Sequence, residues 1–229
     1  MSKQKQQAPL EELLQQSELR YIAIEGVIGA GKTTLAKMLG EILGAKVVLE
    51  QFQENPFLKD FYKDPERYAF QTQIFFLLNR YKQQRELGQA DLFHRFLVTD
   101  YIFEKDKIFA YLNLQDEELK LYETLISSIQ HNITTPDLVV YLQASVPRLM
   151  ENIRQRGRDF EATMQETYIN DLNEAYNYFF FRYKTTPLLI VKSTELDFVS
   201  NNEHFEDLVR AIFRPTHSAV EYYNPIAQK

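Results

Sequence analysis

The chain has 229 residues, of which 45% are hydrophobic, and a formal net charge of −6, so it can bury one sizeable core. The excess of acidic over basic residues argues against binding to DNA or RNA. The lack of cysteine excludes disulfides, thiolate nucleophiles and cysteine zinc sites. No apolar run approaches the roughly 18 residues of a membrane span, and the N-terminus lacks the apolar segment of a signal peptide. We therefore expect a cytoplasmic protein that contacts neither nucleic acid nor membrane.

A phosphate-binding loop follows the first predicted strand, residues 21–25. An N-terminal extension, residues 1–19, precedes this strand. The residues after the strand read GVIGAGKTT and match the pattern G-x-x-x-x-G-K-[ST]. Apolar residues then recur three or four apart over residues 35–42, so the pattern lies between a strand and a helix, as in a P-loop. The residues assigned to ATP binding here are Gly26, Gly29, Ala30, Gly31, Lys32, Thr33 and Thr34.

Each part of this loop has a chemical reason. Glycines let consecutive backbone N–H groups turn inward, and the N-terminus of the following helix adds partial positive charge. Lys32 is expected to neutralise the β- and γ-phosphates, and Thr33 is expected to offer its hydroxyl to Mg²⁺. The loop thus predicts ATP as a ligand and Mg²⁺ as its cofactor.

Carboxylates end the next two predicted strands. The second strand, residues 46–49, is followed by Glu50, and the third, residues 96–99, is followed by Asp100. Ligands of open α/β sheets bind at the carboxyl ends of strands, so both side chains are expected beside the P-loop. One carboxylate can accept a hydroxyl proton, and the other can hold hydrated Mg²⁺.

A long helix is predicted over residues 65–87, because apolar and aromatic residues recur three or four apart. Gln73 and Arg80 are seven residues apart and therefore lie on one face of this helix. An amide together with a planar cation suits the edge of a nucleobase, although a single Gln or Arg on a helix more often faces solvent.

The rest of the chain continues the alternation of strands and helices. Predicted strands cover residues 138–142 and 188–191, and predicted helices cover residues 116–133, 145–156, 165–185 and 202–213. A C-terminal tail, residues 214–229, shows no clear periodicity. We therefore expect one α/β domain, residues 1–229, with a five-stranded parallel sheet flanked by helices.

Three arginines surround a single glycine at the end of the predicted helix 145–156, in the segment MENIRQRGRDFE. They are Arg154, Arg156 and Arg158. Guanidinium groups match phosphate oxygens in bidentate geometry, so we expect this cluster to act as a lid that clamps the migrating phosphoryl group and excludes water. A solvated basic helix end is the alternative interpretation.

Together these motifs resemble the deoxycytidine/deoxyguanosine kinase family of deoxynucleoside kinases, over about residues 21–213, and most of all the bacterial purine deoxynucleoside kinases. The resemblance implies a P-loop kinase fold with an arginine-rich lid. It also implies that Glu50, in VVLEQF, acts as base on the 5′-hydroxyl of the substrate. Lys32, Arg156 and Arg158 would be the other catalytic residues.

The same resemblance assigns the substrate site. Tyr62, in FYKDPERYAFQTQIFFLLNR, and Glu161, in RGRDFE, are similar to the family's ligands of the deoxyribose 3′-hydroxyl. Gln73 and Arg80 fall on the family's base-reading residues, and Asp106 aligns with the acid that pairs with this arginine.

The resemblance also extends to the phosphate donor. The segment LDFV, residues 196–199, is similar to the family's loop over the donor base and implies ATP contacts for Asp197 and Phe198. The lid pattern of many members begins with Arg, whereas this chain has Asn152 there. Arg154 is therefore expected to take that part in ATP binding.

A second departure lies after the third strand. The best-studied animal members carry an arginine directly after the strand-end acid, whereas this sequence reads TDYIFEKDKIFA and has Tyr101 after Asp100. Lys105 or Lys107 is expected to compensate for the missing arginine.

These observations predict an ATP-dependent kinase that phosphorylates the 5′-hydroxyl of a deoxynucleoside in nucleotide salvage. The resemblance to the bacterial purine kinases implies a purine, and deoxyadenosine in particular, whereas Gln73 with Arg80 and Asp106 can serve either an adenine-type or a cytosine-type edge. Helices over residues 70–87 and 116–133 are expected to pair across a two-fold axis in a homodimer. One alternative, a nucleoside monophosphate kinase such as thymidylate kinase, would need a further acceptor-side cation. The other, a P-loop NTPase switch, would need a water-orienting residue or, for GTP, an N-K-x-D motif, and neither is found.

Overall fold

The computed structural model describes residues 9–87 and 93–225. Residues 1–8 of the predicted N-terminal extension and residues 226–229 of the predicted tail lie outside this part of the chain. The strands are β1 (Tyr21–Gly26), β2 (Lys46–Val48), β3 (Leu97–Thr99), β4 (Leu138–Gln143), β5 (Leu188–Lys192) and β6 (Val220–Tyr223). The helices are α1 (Leu10–Gln16), α2 (Lys32–Leu43), α3 (Leu58–Phe61), α4 (Pro65–Leu87), α5 (Lys105–Asn113), α6 (Asp116–Ile129), α7 (Val146–Arg156), α8 (Glu166–Phe181) and α9 (Asn202–Ile212).

All six strands form one parallel sheet in the order β2-β3-β1-β4-β5-β6. The central strand β1 is buried along its whole length, as expected when helices cover both faces of a parallel sheet. Thr99 of β3 lies between Ala23 of β1 and Val48 of β2 in the register. The P-loop, Glu50 and Asp100 therefore leave the sheet at the same edge.

The prediction of five strands was wrong, because the tail contributes a sixth. Strand β6 pairs in parallel with β5, with Val220 opposite Leu188. Its four residues are too short for a detectable pattern, and Val220 and Tyr222 are exposed while Tyr223 is buried. The neighbouring strand supplies the hydrogen bonds that make this segment a strand, and local sequence does not reveal that partner.

The structure also contains helices that the sequence did not predict. Helix α1 lies in the N-terminal extension, and α5 follows β3. In α5 the charged residues Lys105 and Asp106 are buried together with Ile108 and Ala110. Polar residues at core-facing positions hide the apolar period that normally indicates a helix.

A second hydrophobic cluster joins α4, α5 and α6 beside the main core. It includes Leu77, Ala110, Tyr122 and Ile126. This packing brings the inner face of α4 against α5, so that side chains of the two helices meet above the edge of the sheet. Within the described ranges, no helix combines the length and apolar character that crossing a membrane requires.

Candidate active site

A cleft of about 900 Å³ opens at the carboxyl edge of the sheet, between the P-loop, α4, α5 and the segment after α7. It brings together residues that are far apart in the sequence. The predicted site residues that line it are Lys32, Thr33, Glu50, Tyr62, Gln73, Arg80, Asp100, Arg156, Arg158 and Glu161.

The P-loop has the backbone conformation that only glycine adopts readily. Gly31 has φ 93° and caps α2, and Gly29 has φ 87°. A Cβ atom at Gly29 would also lie 2.6 Å from the carbonyl oxygen of Leu149. Asn152 of α7 donates from Nδ2 to the carbonyl oxygen of Gly29 at 2.8 Å, so the residue in place of the first lid arginine ties α7 to the loop.

Lys32 lies across the mouth of the loop. Its Nζ donates to the carbonyl oxygens of Gly26 at 2.7 Å and Val27 at 3.1 Å. Burial lowers the pKa of Lys32 to about 8, and the nearby charge of Lys105 contributes in the same direction. An incoming phosphate group would give this ammonium a stronger partner than the two carbonyl oxygens.

Asp100 connects the P-loop to Glu50. One carboxylate oxygen, Oδ2, accepts the hydroxyl of Thr33 at 2.6 Å, and the other, Oδ1, accepts the backbone N–H of Glu50 at 2.7 Å. Hard oxygen ligands of this kind suit Mg²⁺, which needs few protein ligands when it bridges phosphates. In the part of the chain that the structure describes, there is no cluster of three or more His, Cys, Asp or Glu that could hold a metal ion.

The Glu50 carboxylate faces the cleft and forms ion pairs with two cationic side chains. Its Oε1 accepts from Arg80 Nε at 2.8 Å and Nη2 at 2.6 Å, and its Oε2 accepts from Lys105 Nζ at 2.9 Å. Burial by itself would raise the pKa of Glu50, but Lys105 and Arg80 lower it overall. The carboxylate is therefore ionised, and of the two lysines expected to compensate for the missing arginine, Lys105 is the one that contacts Glu50. Lys107 instead donates to Gln130 outside the cleft.

Arg80 also contacts Asp106, the acid that the sequence predicted to pair with it. Its Nη1 donates to Oδ1 of Asp106, and Gln73 Nε2 donates to the backbone carbonyl oxygen of Asp106 at 2.8 Å. Asp106 is fully buried and does not line the cleft. It holds the Gln73 and Arg80 side chains from behind the wall of the cleft.

The lid arginines are paired with a carboxylate of the lid itself. Arg156 donates to both oxygens of Glu161, at 2.6 Å from Nη2, and Arg158 Nη1 lies 3.3 Å from Oε1. The Phe160 ring stacks on Tyr62 with the centroids 6.1 Å apart. Arg154 is exposed and lies outside the cleft. The predicted lid thus lies beside Tyr62 in the cleft, and Glu161 holds its two inner arginines.

The predicted donor-base loop lies near the P-loop. Phe198 is buried, and its ring would be 3.1 Å from a Cβ atom at Gly31. Asp197 accepts the backbone N–H groups of Val199 and Ser200 and so closes its own turn. Phe198 is therefore the side chain of this pair that contacts the loop.

The model of one known family, the deoxynucleoside kinases, matches residues 22–216. The chain belongs to the deoxynucleoside kinase family. It is 34% identical over 191 residues to a deoxyguanosine kinase of Bacillus subtilis, covering 81% of this chain and 92% of that one. It is 30% identical over 203 residues to a deoxyadenosine/deoxycytidine kinase of the same organism, covering 86% and 93%.

Among solved structures, a deoxyadenosine kinase from M. mycoides with bound dATP superposes with a TM-score of 0.75 at 27% identity, covering 84% of this chain and 98% of that one. The fold is therefore the P-loop kinase fold of the family. These three relatives are named for different bases, which supports phosphorylation of a nucleoside and does not identify its base.

Sequence reasoning missed a buried carboxylate beneath the loop of this kinase. Glu25 precedes Gly26 and accepts the backbone N–H groups of Gly26 at 3.0 Å and Ile102 at 3.1 Å, and the Tyr176 hydroxyl at 3.3 Å. Burial raises the pKa of Glu25. The signal was a lone acid in an apolar strand, since a buried charge needs partners to be tolerated.

Other missed residues are apolar or aromatic side chains of the cleft wall. Sequence alone does not distinguish such residues from core residues. They include Phe52, Phe76, Phe109, Phe160, Tyr168 and Tyr176.

Proposed function

We propose that this kinase transfers the γ-phosphoryl group of ATP to the 5′-hydroxyl of a deoxynucleoside in nucleotide salvage, with purines, and deoxyadenosine in particular, favoured. One observation carries the proposal: the Glu50 carboxylate faces a single cleft between the P-loop residues Lys32 and Thr33 and the base-facing residues Gln73 and Arg80. Such a cleft accommodates a triphosphate donor and a neutral sugar alcohol side by side.

The reaction is an in-line displacement. The 5′-oxygen forms a bond to the γ-phosphorus while the bond from this phosphorus to the β–γ bridging oxygen breaks, which releases ADP. The hydroxyl proton passes to Glu50. A carboxylate of lowered pKa is a weak base, so Glu50 acts mainly by orienting the hydroxyl, and it takes the proton late in a loose transition state.

Charge on the transferring group is neutralised from the donor side and from the lid. Lys32 leaves the loop carbonyl groups for the phosphates, and Arg156 and Arg158 exchange Glu161 for phosphate oxygens. Mg²⁺, when bound on Thr33 and Asp100, would neutralise phosphate charge. Tyr62 and the freed Glu161 are then placed to bind the 3′-hydroxyl.

The proposed preference for adenine over guanine rests on the orientation of Gln73. One N–H of its amide donates to the carbonyl oxygen of Asp106, and a flipped amide would place two oxygens face to face. Oε1 and the second N–H remain, and they match the amino group and N7 of adenine. Guanine presents two acceptors at the same edge, which this orientation does not satisfy.

The pairing of both acceptor-side cations argues against a monophosphate acceptor. Arg80 is bonded to Glu50 and Asp106 and Lys105 to Glu50, so an acceptor phosphate would have to displace the Glu50 carboxylate from its cations and lie beside its negative charge. A nucleoside monophosphate kinase would need such a cation.

The test is phosphate transfer from ATP to each of the four deoxynucleosides, with thymidine monophosphate and ATP alone as further reactions. We expect product with deoxyadenosine, little with thymidine monophosphate and little ATP turnover without acceptor. Glu50→Gln should lower kcat by about 100-fold or more. Near-normal turnover of that variant, or rapid ATP hydrolysis without a nucleoside, would contradict the proposal.

We also propose a homodimer that forms through the outer faces of α4 and α6. These helices pack together, and Leu78 of α4 and Leu121 and Leu125 of α6 are exposed on them. Exposed leucines on adjacent helices favour contact with a second copy in a two-fold arrangement.

A further inference from the structure

We infer that Lys105 is a positioning residue for Glu50, which it holds in place for the acceptor hydroxyl while Arg80 serves the base. The inference rests on the proposed function and adds a residue to its machinery. Lys105 Nζ lies 2.9 Å from Oε2 of Glu50, and the side chain lines the cleft.

The two oxygens of Glu50 are held by residues with different tasks. Arg80 binds Oε1, but it also binds Asp106 and lines the part of the cleft where Gln73 lies, so a bound base competes for it. Lys105 binds Oε2 and, among the described residues, its ammonium has no other hydrogen-bond partner. When the base engages Arg80, Oε1 is freed for the hydroxyl and Oε2 remains fixed.

The position of Lys105 in the fold is unfavourable unless it has this partner. It is the first residue of α5, where the positive end of the helix dipole repels a cation. It is also only 3% exposed, and lysine is almost never fully buried unless it is paired. The pair with Glu50 compensates for both, and an arrangement that conflicts with local stability is typical of functional sites.

A purely structural ion pair would have a different consequence. If Lys105 only fastened α5 to the sheet, its loss would reduce stability and weaken binding of the nucleoside together with turnover. If it positions Glu50, the nucleoside still binds through Gln73 and Arg80, whereas the chemical step slows. The two roles therefore separate in kcat and KM.

The experiment compares Lys105→Met, Lys105→Gln and Lys105→Arg with the wild-type chain, using ATP and the deoxynucleoside that the wild type prefers. Lys107→Met is the matched control, because Lys107 lies on the same helix and donates to Gln130 outside the cleft. Equilibrium binding of the nucleoside and thermal unfolding are measured on every variant. Lys105→Gln keeps a hydrogen-bond donor without the charge and covers the case in which the methionine variant does not fold.

For Lys105→Met and Lys105→Gln we expect kcat to fall about 100-fold, as for a reacting group misplaced by about 1 Å, with the nucleoside KM changed less than about 3-fold. Lys105→Arg, which keeps the cation, should recover at least about a tenth of wild-type kcat, and Lys107→Met should match the wild type. A folded Lys105→Gln with kcat within about 3-fold of wild type, or with its loss confined to KM, would overturn the inference. A wild-type chain that phosphorylates no deoxynucleoside would instead overturn the proposed function.

Discussion

Replacing Gln73 by methionine tests how this kinase reads its base. Methionine has nearly the volume of glutamine but neither donates nor accepts a conventional hydrogen bond, so the wall of the cleft keeps its shape. The substitution removes the two proposed hydrogen bonds to adenine, each worth about 0.5–1.5 kcal/mol. The sum of about 1–3 kcal/mol corresponds to a roughly 5- to 150-fold lower kcat/KM for deoxyadenosine.

The discriminating measurement is selectivity. We expect the ratio of kcat/KM between deoxyadenosine and each other deoxynucleoside to move toward one in Gln73→Met, because an apolar side chain does not distinguish donors from acceptors. Gln84→Met is the matched control, since Gln84 is buried on the same helix and does not line the cleft. Thermal unfolding checks that the Gln73→Met variant is folded. An unchanged selectivity ratio in the folded variant would refute the amide orientation as the cause of base preference.

Three further substitutions test other parts of the structure. Glu25→Gln should lower the free energy of unfolding by about 1–3 kcal/mol in urea titrations, because its amide would turn a donor toward a buried backbone N–H; a change below about 0.5 kcal/mol would contradict this role. Arg156→Ala should reduce kcat by about 100-fold or more, whereas Arg154→Ala should change it less than about 3-fold. Equal losses in steady-state kinetics would contradict the idea that only the arginine lining the cleft takes part in the reaction. Leu125→Glu should convert dimers to monomers in light scattering, and a wild-type chain that is already monomeric would count against the proposed interface.

The parts of the site that the sequence predicted are those whose geometry is local or set by strand ends. The P-loop is contiguous, so its strand, glycines and helix could be read together. Glu50 and Asp100 each end a strand, and parallel strands bring such residues to one edge. Gln73 and Arg80 share a helix face, which the spacing of seven residues was enough to predict.

The rest depends on packing between distant elements. The contact between Lys105 and Glu50 requires helix α5, and the buried charged residues of α5 hide the apolar periodicity that would have predicted this helix. The position of Asp106 behind Arg80 requires the contact between α4 and α5, and strand β6 requires its neighbour β5. None of these contacts has a signature within its own segment of sequence, and the pairing of the lid arginines with Glu161 likewise appears only in three dimensions.

The Arg80 guanidinium pairs with both Glu50 and Asp106, which limits how this protein can evolve. A mutation that changes the proposed base pocket through Arg80 also alters the electric field on Glu50, the proposed base. Changing substrate preference and keeping catalytic rate are therefore opposing demands on one side chain. Laboratory selection for a new base should accordingly enrich compensating substitutions at the start of α5, which contacts the other carboxylate oxygen of Glu50.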